Sequence, residues 1–278
     1  MHGTGNDFVV LNGFRRPVRM TAVLARRLCD RRFGVGADQI LTLEKSKAAD
    51  FRMRIFNADG SQVEMCGNGI RCLARYARER GLTSKREMTV ETLGGIKRMV
   101  IHGAYVRVDM GEPILDAAKV PTRSRGRVIE KPFRFHSLPP LRGRVGVGGI
   151  MSCPVTCLSL GNPHAVFFVE DVDRVPLELR GRAIENHPFF PRRTNVEFVQ
   201  VLDPGRARVR VWERGAGATP ACGTGACAAA VAGVLTGRFR RRVALSMPGG
   251  DLGVEWAGDN HVFLSGPAAF VYDGDFYV

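Results

Sequence analysis

Two cysteines with matching neighbours are the residues of this sequence best suited to chemistry. Cys66 lies in the segment MCGNG, and Cys222 lies in the segment ACGTG, 156 residues further along. Each segment begins a stretch with helical character, so each cysteine is predicted at a helix N-terminus. There the helix dipole and amide groups without an intrahelical acceptor stabilise a thiolate and attract a carboxylate. A thiol and a thiolate in this setting could remove a proton from a carbon atom and return one to it.

The same interval of 156 residues recurs at other polar positions, which indicates an internal repeat. It joins Asn6 to Asn162, Gln39 to Asn195, and Asn57 to Glu213, in addition to the two cysteines. Four anchors in one ungapped register are not expected by chance. The chain is therefore predicted to contain two copies of one structural plan.

The secondary-structure patterns between the anchors repeat in the same order. In the first copy we expect strands at Phe8–Leu11, Ile40–Leu43 and Phe51–Phe56 and helices at Thr21–Arg31 and Gly67–Arg80. In the second copy we expect strands at Ala165–Val169, Val196–Leu202 and Ala207–Trp212 and helices at Pro176–Asn186 and Gly223–Thr236.

These patterns predict an α/β fold of the α+β type with two pseudo-symmetric halves. Each half is expected to be a bent, mostly antiparallel sheet wrapped around a central helix. The N-terminal half is predicted to comprise residues 1–113 plus 268–278, and the C-terminal half residues 114–267. Ala268–Val278 is expected to form a last strand that returns to the N-terminal half.

The composition is that of a globular protein without a disulfide framework. The 278 residues are 45% hydrophobic and 24% charged, and the seven cysteines are an odd number. We find no signal peptide and no apolar run long enough to span a bilayer, so a cytoplasmic location and no membrane partner are expected. The net charge of +14 could indicate a nucleic-acid partner. Because the arginines are spread along the chain without a zinc-finger or RNA-binding motif, we expect no nucleic acid.

The repeat itself suggests which reaction two such cysteines would serve. Inverting a carbon centre requires a base on one face and an acid on the other, and duplicated halves can supply one group each. The amides of Gly67-Asn68 and Gly223-Thr224 would bind a carboxylate and stabilise enolate-like charge as the proton leaves. This chemistry requires no cofactor, and none is expected. The spacings of the cysteines do not match a zinc site, so no metal is expected either.

Seven segments together resemble the motif set of the diaminopimelate epimerases. They are GTGNDF at 3–8, GVGADQ at 34–39, NADGS at 57–61, MCGNGIRC at 65–72, GNPH at 161–164, ERGAG at 213–217 and ACGTGA at 221–226. The resemblance covers nearly the whole chain, in order. It implies conversion of LL-diaminopimelate to the meso form, in the route to lysine and peptidoglycan, by a homodimer.

The resemblance also assigns roles, residue by residue. It implies that Cys66 and Cys222 are the acid/base pair and that His164 and Glu213 adjust the thiol pKa values. The residues implied to contact substrate are Asn6, Gln39, Asn57, Gly67, Asn68, Asn162, Asn195, Glu213, Arg214, Gly223 and Thr224. One departure is Ala218, which stands where many relatives carry Glu.

The repeat adds a physical reason for substrate choice, since the halves differ at matched positions. Phe8 is matched by His164, and Arg214 is a cation on one side only, suited to a carboxylate by its planar fork.

Other interpretations stay open from the sequence alone. A two-cysteine proline racemase or hydroxyproline epimerase is the nearest rival, although Asn68 and the Glu213-Arg214-Gly215 segment differ from the loops expected there. A nucleic-acid-binding protein on an epimerase scaffold is a second rival, supported only by the charge. The cysteines and His164 could be buried structural residues, and the asparagines and Gln39 could cap turns.

Overall fold

The computed structural model describes residues 1–14, 16–136 and 150–277 and divides into two compact units. The first unit contains Met1–Met110, Gly249–Leu252 and Phe263–Val278. The second contains Gly111–Pro248 and Gly253–Val262. This division differs from the expected one, because Gly249–Leu252 and residues 263–267 group with the first unit rather than the second, and residues 111–113 group with the second rather than the first.

The first unit is a sheet with two helices packed on it. Its elements in chain order are β1 (His2–Gly3), β2 (Asn6–Asn12), α1 (Ala22–Cys29), β3 (Gln39–Glu44), β4 (Phe51–Asn57), β5 (Gln62–Val63), α2 (Gly67–Glu79), β6 (Glu87–Thr92), β7 (Gly95–His102) and β8 (Tyr105–Gly111). Strand β2 pairs antiparallel with β1 and parallel with β3, and β3 pairs antiparallel with β4. Strand β4 pairs antiparallel with β5 and parallel with β6, and β6, β7 and β8 follow as antiparallel neighbours.

The second unit repeats this arrangement. Its elements are β9 (Val128–His136), β10 (Ile150–Ser159), β11 (Pro163–Val169), α3 (Leu177–Glu185), β12 (Asn195–Asp203), β13 (Arg206–Glu213), β14 (Gly217–Thr219), α4 (Gly223–Leu235) and β15 (Arg242–Met247). Strand β11 pairs antiparallel with β10 and parallel with β12, and β12 pairs antiparallel with β13. Strand β13 pairs antiparallel with β14 and parallel with β15.

Two further strands follow, β16 (Gly250–Trp256) and β17 (Val262–Pro267), and each has residues in both units. Strand β17 pairs with β8, and this pairing explains why most of β17 groups with the first unit. The predicted boundary missed it because sequence periodicity identifies a strand but not its neighbour in the sheet.

The strand registers reproduce the repeat found in the sequence. Three Cα pairs of the first unit, Phe8–Gln39, Ile40–Phe56 and Ile55–Val63, are matched 156 residues later by His164–Asn195, Val196–Trp212 and Val211–Thr219. Parallel and antiparallel pairs correspond in each case. The predicted fold class is therefore confirmed, with a mostly antiparallel sheet in each unit.

A buried helix lies at the centre of each unit. Helix α2 contacts β1 to β4 and β7, and helix α4 contacts β10 to β13 and β15. On α2 the side chains of Ile70, Cys72 and Leu73 are fully buried. On α4 the run from Ala226 to Gly233 is buried on every side, as its small apolar residues predict.

The predicted last strand at Ala268–Val278 is wrong. A single bridge joins Ala269 to His2, and no strand follows in the described residues up to Tyr277. The segment is held by its side chains instead, since the guanidinium of Arg80 lies 5.2 Å from the ring centre of Phe270 and that of Arg27 lies 5.4 Å from Phe276. Within the part of the chain that the structure describes, no helix is long and apolar enough to cross a bilayer.

Candidate active site

Cys66 occupies the position immediately before helix α2 in the first unit. Its extended backbone, at φ −138° and ψ 116°, turns the thiol back over the first helical turn. The sulfur accepts the N–H of Gly69 at 3.4 Å and lies 3.7 Å from Oδ1 of Asn6, to which the thiol donates. A side chain at Gly69 would lie 3.0 Å from Leu41, so glycine allows the helix to start against the sheet. The sulfur therefore takes the place of the usual capping oxygen.

The amide of Asn6 is oriented by Asp38. Nδ2 of Asn6 donates to Oδ2 of Asp38 at 2.8 Å, and a carboxylate can only accept, so Oδ1 of Asn6 must face the other way, toward Cys66. Asn68 donates to the same Oδ1 at 3.3 Å. Asp38 is held in turn by Arg31, at 2.8 Å. The first unit thus presents an accepting oxygen to its cysteine.

Gln39 and Asn57 form a neighbouring amide pair at the ends of β3 and β4. They face each other across the strands, and Nε2 of Gln39 donates to Oδ1 of Asn57 at 2.9 Å. Asn57 donates onward to the hydroxyl of Ser61 at 3.0 Å. The predicted residues of the first repeat therefore lie at one edge of one sheet, where the polar ends of adjacent strands meet.

Cys222 occupies the equivalent position before helix α4 in the second unit. Its backbone is again extended, at φ −125° and ψ 118°, and its sulfur accepts the N–H of Gly225 at 3.4 Å. The hydroxyl of Thr224 lies 3.4 Å from the sulfur. Unlike Cys66, which is half-buried, Cys222 is buried, with 5% of its surface exposed.

Burial, and next the negative charge of Glu213, raise the pKa of the Cys222 thiol well above its ordinary value. The hydrogen bonds from Thr224 and from the amide of Gly225 act in the opposite direction but are outweighed. The expectation that the helix start stabilises the thiolate is therefore wrong for Cys222. The helix-start amide does lower the pKa of this thiol, but desolvation raises it by more. Burial therefore favours the protonated thiol at Cys222.

Behind Cys222 lies a buried histidine that the sequence had singled out. His164 on β11 has no exposed surface, and its Nε2 lies 2.9 Å from Oδ1 of Asn162. Nδ2 of Asn162 donates to the hydroxyl of Thr224 at 3.2 Å. Nδ1 of His164 lies 2.7 Å from Oε1 of Glu197, a fully buried carboxyl on β12.

Sequence reasoning missed Glu197, although a signal existed. It is a charged residue in a run of otherwise apolar β12 positions, and its match in the repeat is Leu41. Burial raises the pKa of Glu197, and the neighbouring His164 only partly offsets that effect.

Asn195, Glu213 and Arg214 are placed by the β12–β13 pair. The buried amide of Asn195 donates to the carbonyl of Pro163 at 2.8 Å and accepts the N–H of Arg214 at 2.9 Å. Oε1 of Glu213 accepts the hydroxyl of Thr219 at 2.6 Å. The guanidinium of Arg214 is exposed, with one contact to the carbonyl of Arg192 at 3.4 Å.

A second missed residue, Glu185, fixes the turn that follows Arg214. Its buried carboxylate accepts the N–H of Gly215 at 2.9 Å through one oxygen and the indole N–H of Trp212 at 2.7 Å through the other. Gly215 has a φ of 81°, which a residue with a side chain rarely adopts. Nothing in the local sequence distinguishes Glu185 from the other charged residues of α3.

Among the predicted residues, the side chain of Asn6 contacts the Cys66 thiol in the first unit, and that of Thr224 contacts the Cys222 thiol in the second. The amides of Gly67 and Asn68, and of Gly223 and Thr224, open the two helices, where first-turn amides have no acceptor one turn earlier. Among the described residues no group of three or more His, Cys, Asp or Glu side chains could hold a metal ion.

Curated relatives carry one name. A relative named diaminopimelate epimerase from Moorella thermoacetica is 52% identical over 99% of this chain and 97% of its own length. Another of that name, from Desulforudis audaxviator, is 53% identical over 99% of this chain and 96% of its own length.

Solved structures share the fold at low identity. A phenazine biosynthesis protein of the PhzF family from Bacillus anthracis has a TM-score of 0.66 at 16% identity, covering 98% of this chain and 93% of that one. A probable proline racemase from Agrobacterium radiobacter K84, with bound carbonate, has a TM-score of 0.63 at 15% identity, covering 96% and 88%. These likenesses concern the fold alone.

The family comparison covers both repeats. A family model described as diaminopimelate epimerase matches residues 1–115 and 156–271, and these ranges contain every site residue predicted from the sequence. With that match and relatives at about half identity over nearly the full length, the chain belongs to the diaminopimelate epimerase family.

Proposed function

We propose that this protein interconverts LL-2,6-diaminopimelate and meso-diaminopimelate without a cofactor, using Cys66 and Cys222 as the acid/base pair. The observation that carries the proposal is the equivalence of the two thiols. Each caps the central helix of its unit, and each sulfur accepts the third amide of that helix at 3.4 Å. Membership of the family supplies the substrate.

In this mechanism one cysteine is a thiolate and the other a thiol at the start of each turnover. The thiolate removes the α-proton, and the thiol delivers its own proton to the opposite face of the carbon, which inverts the centre. Because burial raises the pKa of Cys222, that residue is suited to begin as the acid. The reverse reaction exchanges the roles, as microscopic reversibility requires.

The helix starts provide the electrostatic part of catalysis. We propose that the amides of Gly67 and Asn68 and of Gly223 and Thr224 bind the reacting carboxylate. Negative charge moves onto that carboxylate as the α-proton leaves, and fixed N–H dipoles stabilise it without reorganising. His164 and Glu213 are proposed to adjust the thiol pKa values.

The remaining predicted residues are proposed to bind and orient the substrate: Asn6, Gln39, Asn57, Asn162, Asn195, Glu213 and Arg214. The exposed guanidinium of Arg214 suits a carboxylate because its planar fork can donate two parallel hydrogen bonds. The amide of Asn195 bonds to the backbone at Pro163 and Arg214, so its proposed contribution is to hold Arg214 in place.

The test is turnover by the purified, reduced protein. We expect meso-diaminopimelate to form from the LL isomer, with the rate unchanged by a chelator or by hydroxylamine, which traps pyridoxal phosphate. Proline and hydroxyproline should not react. Turnover of proline with none of diaminopimelate would replace this proposal with the proline racemase alternative. Salt-dependent DNA binding with no turnover of any amino acid would instead favour the nucleic-acid alternative.

We further propose that the enzyme acts as a homodimer in the cytoplasm. All seven cysteines are thiols in the structure, which suits a reducing compartment. Light scattering of the purified protein at micromolar concentration checks the dimer, and a monomeric mass for an active sample would contradict it.

A further inference from the structure

The buried pair of His164 and Glu197 has no counterpart in the first unit. The matched positions are Phe8 and Leu41, which are 3% and 0% exposed. The same two neighbouring strands thus carry an apolar pair in one unit and an ionisable pair in the other. Burying two ionisable groups costs free energy that an apolar pair does not, so packing alone does not account for the difference.

The pair lies directly under the start of helix α4. A Cβ built at Gly225 would lie 2.9 Å from Oε1 of Glu197 and 3.4 Å from the sulfur of Cys222. The carboxyl is therefore separated from the thiol by one glycine of the helix. Oε2 of Glu197 is buried and has no hydrogen-bond partner among the residues that the structure describes.

The hydrogen bonds from this pair run in one direction, toward the sulfur. Asn162 donates through Nδ2 to Thr224, so its Oδ1 is the acceptor that faces His164, and Nε2 of His164 must carry a proton. Thr224 accepts from Asn162 and keeps its own hydroxyl proton available for the sulfur of Cys222, 3.4 Å away, a contact in which either atom can be the donor. Nδ1 of His164 and Oε1 of Glu197 share one further proton at 2.7 Å.

We propose that Glu197 is a positioning residue for the reaction, which holds the proton on Nε2 of His164 and so keeps the chain His164–Asn162–Thr224 donating toward Cys222. This inference rests on the proposed function. When Cys222 gives up its proton, a thiolate forms at a buried site, and a donor chain already aimed at the sulfur stabilises it.

The titratable groups around the pair come from three other elements. Cys222 lies at the start of α4, Glu213 on β13 and Cys157 on β10. Burial raises the pKa of Cys157, and the charge of Glu197 adds to this. Glu213 acts on both Cys222 and Glu197, raising the pKa of each. His164 is the pair's own contact to Glu197, through Nδ1 at 2.7 Å.

Removing Glu197 should reverse the direction of the hydrogen bonds that run from His164 through Asn162 to Thr224. Without a partner on Nδ1, the proton of His164 is free to occupy either ring nitrogen. With the proton on Nδ1, the amide of Asn162 turns to donate to His164 and to accept from Thr224. Thr224 then no longer donates to Cys222, and the pKa of that thiol rises further. Removing only the charge of a carboxylate near Cys222 would lower that pKa, so the two explanations predict opposite signs.

The experiment compares Glu197→Leu, Glu197→Gln and the double variant His164→Phe/Glu197→Leu, which installs the apolar pair of the first unit. For each, kcat and the pH dependence of kcat/KM are measured in both reaction directions. We expect Glu197→Leu and the double variant to lose about 10- to 100-fold in kcat, the factor associated with a charge-assisted hydrogen bond. In the pH profile of kcat/KM, the limb assigned to the ionisation of Cys222 should move to higher pH. Glu197→Gln can still donate to Nδ1 and should keep most of the activity.

Three outcomes would overturn the proposal. One is a folded Glu197→Leu variant with wild-type kcat and an unmoved limb. Another is a limb that moves to lower pH. The third is an equal loss in the Gln and Leu variants with no pH change, which indicates a structural role. If Glu197→Leu does not fold, the activities and pH profiles of Glu197→Gln and the double variant still test whether Glu197 is a positioning residue. An inactive wild type would refute the proposed function instead, and the pH dependence of Cys222 alkylation in the same variants would still test the chain.

Discussion

The two units place a cysteine at the start of an equivalent helix but surround it with different partners. In the first, the carboxylate of Asp38 turns Asn6 so that an oxygen faces Cys66. In the second, His164 turns Asn162 so that its NH2 group faces Thr224, which in turn contacts Cys222. The repeated fold gives both thiols the same backbone geometry, and the substituted neighbours give them different hydrogen bonds.

This difference teaches how a symmetric scaffold can serve a directional proton transfer. The thiol of Cys66 donates to an amide oxygen, whereas the hydrogen bond with Thr224 lowers the pKa of Cys222 and partly offsets the effect of burial. The repeat therefore gives the two thiols the same place before a helix but different hydrogen-bonding surroundings.

The largest expected effect comes from removing either thiol. Cys66→Ala and Cys222→Ala should each lower kcat by about 10²- to 10⁴-fold, because general acid–base groups contribute on that order. Cys72→Ala and Cys227→Ala are matched controls, since both residues are fully buried about one to two turns further along the same helices. Steady-state assays should show the controls within a few-fold of wild type. Equal losses of kcat in all four variants would mean that the substitutions act by disturbing the helices rather than by removing catalytic thiols.

Placing a carboxyl in the first unit tests whether the two pairs are interchangeable. Leu41→Glu buries an unpaired acidic group at a fully buried position and should lower the free energy of unfolding by about 3–5 kcal/mol. Adding Phe8→His should recover part of that loss, because it restores the pair found in the second unit. Urea unfolding measures both, with Leu41→Met as a control expected to cost less than about 1.5 kcal/mol. A Leu41→Glu protein as stable as wild type would remove the energetic contrast between the units.

Releasing the amide of Asn6 should have a smaller effect. In Asp38→Asn the partner can donate or accept, so Asn6 is no longer forced to direct its oxygen at Cys66. We expect kcat/KM to fall by about tenfold, a typical cost of losing one charge-assisted hydrogen bond. Asp7→Asn is the control, because Asp7 shares Arg31 with Asp38 but does not bond to the side chain of Asn6. Similar losses in both variants would show that loop stability, not amide orientation, is responsible.

The smallest effect concerns the ionisation of Cys222 itself. Its raised pKa means that the thiolate fraction is low at neutral pH and grows as pH rises past about 9, the ordinary value. The rate of iodoacetamide labelling at this residue, followed by mass spectrometry of its peptide, should still be increasing above pH 9. A plateau reached below about pH 8.5 would mean that the hydrogen bonds, not burial, dominate at Cys222.

Much of this arrangement could be predicted from the sequence because the repeat is ungapped. Helices α2 and α4 begin at Gly67 and Gly223, as predicted, directly after the two cysteines. The glycines and the apolar pattern mark both helix starts in the sequence. The strands that carry Gln39 and Asn57 were also predicted. In the second of them, the apolar residues Phe51, Met53 and Ile55 alternate with arginines, which is the pattern of a strand with one buried face.

The parts that escaped prediction depend on contacts between residues far apart in the chain. Glu197 and Glu185 acquire their roles only when strands and turns bring His164 and Gly215 beside them. The tail after Ala268 carries aromatic residues typical of a strand. In the structure its rings pack against arginines, and its described residues after Ala269 form no strand. Local propensity cannot distinguish these two ways of ordering a segment.

The most direct test of two thiols acting in turn is hydrogen exchange in deuterated water at early times. LL-diaminopimelate is incubated with the enzyme until a few per cent has reacted, and both isomers are analysed by mass spectrometry. Two bases predict deuterium at the α-carbon of the meso product and none in the remaining LL substrate, because the proton removed by one thiol is not the one returned by the other. Equal deuterium in both isomers, or a product that keeps the substrate hydrogen, would contradict a two-thiol mechanism.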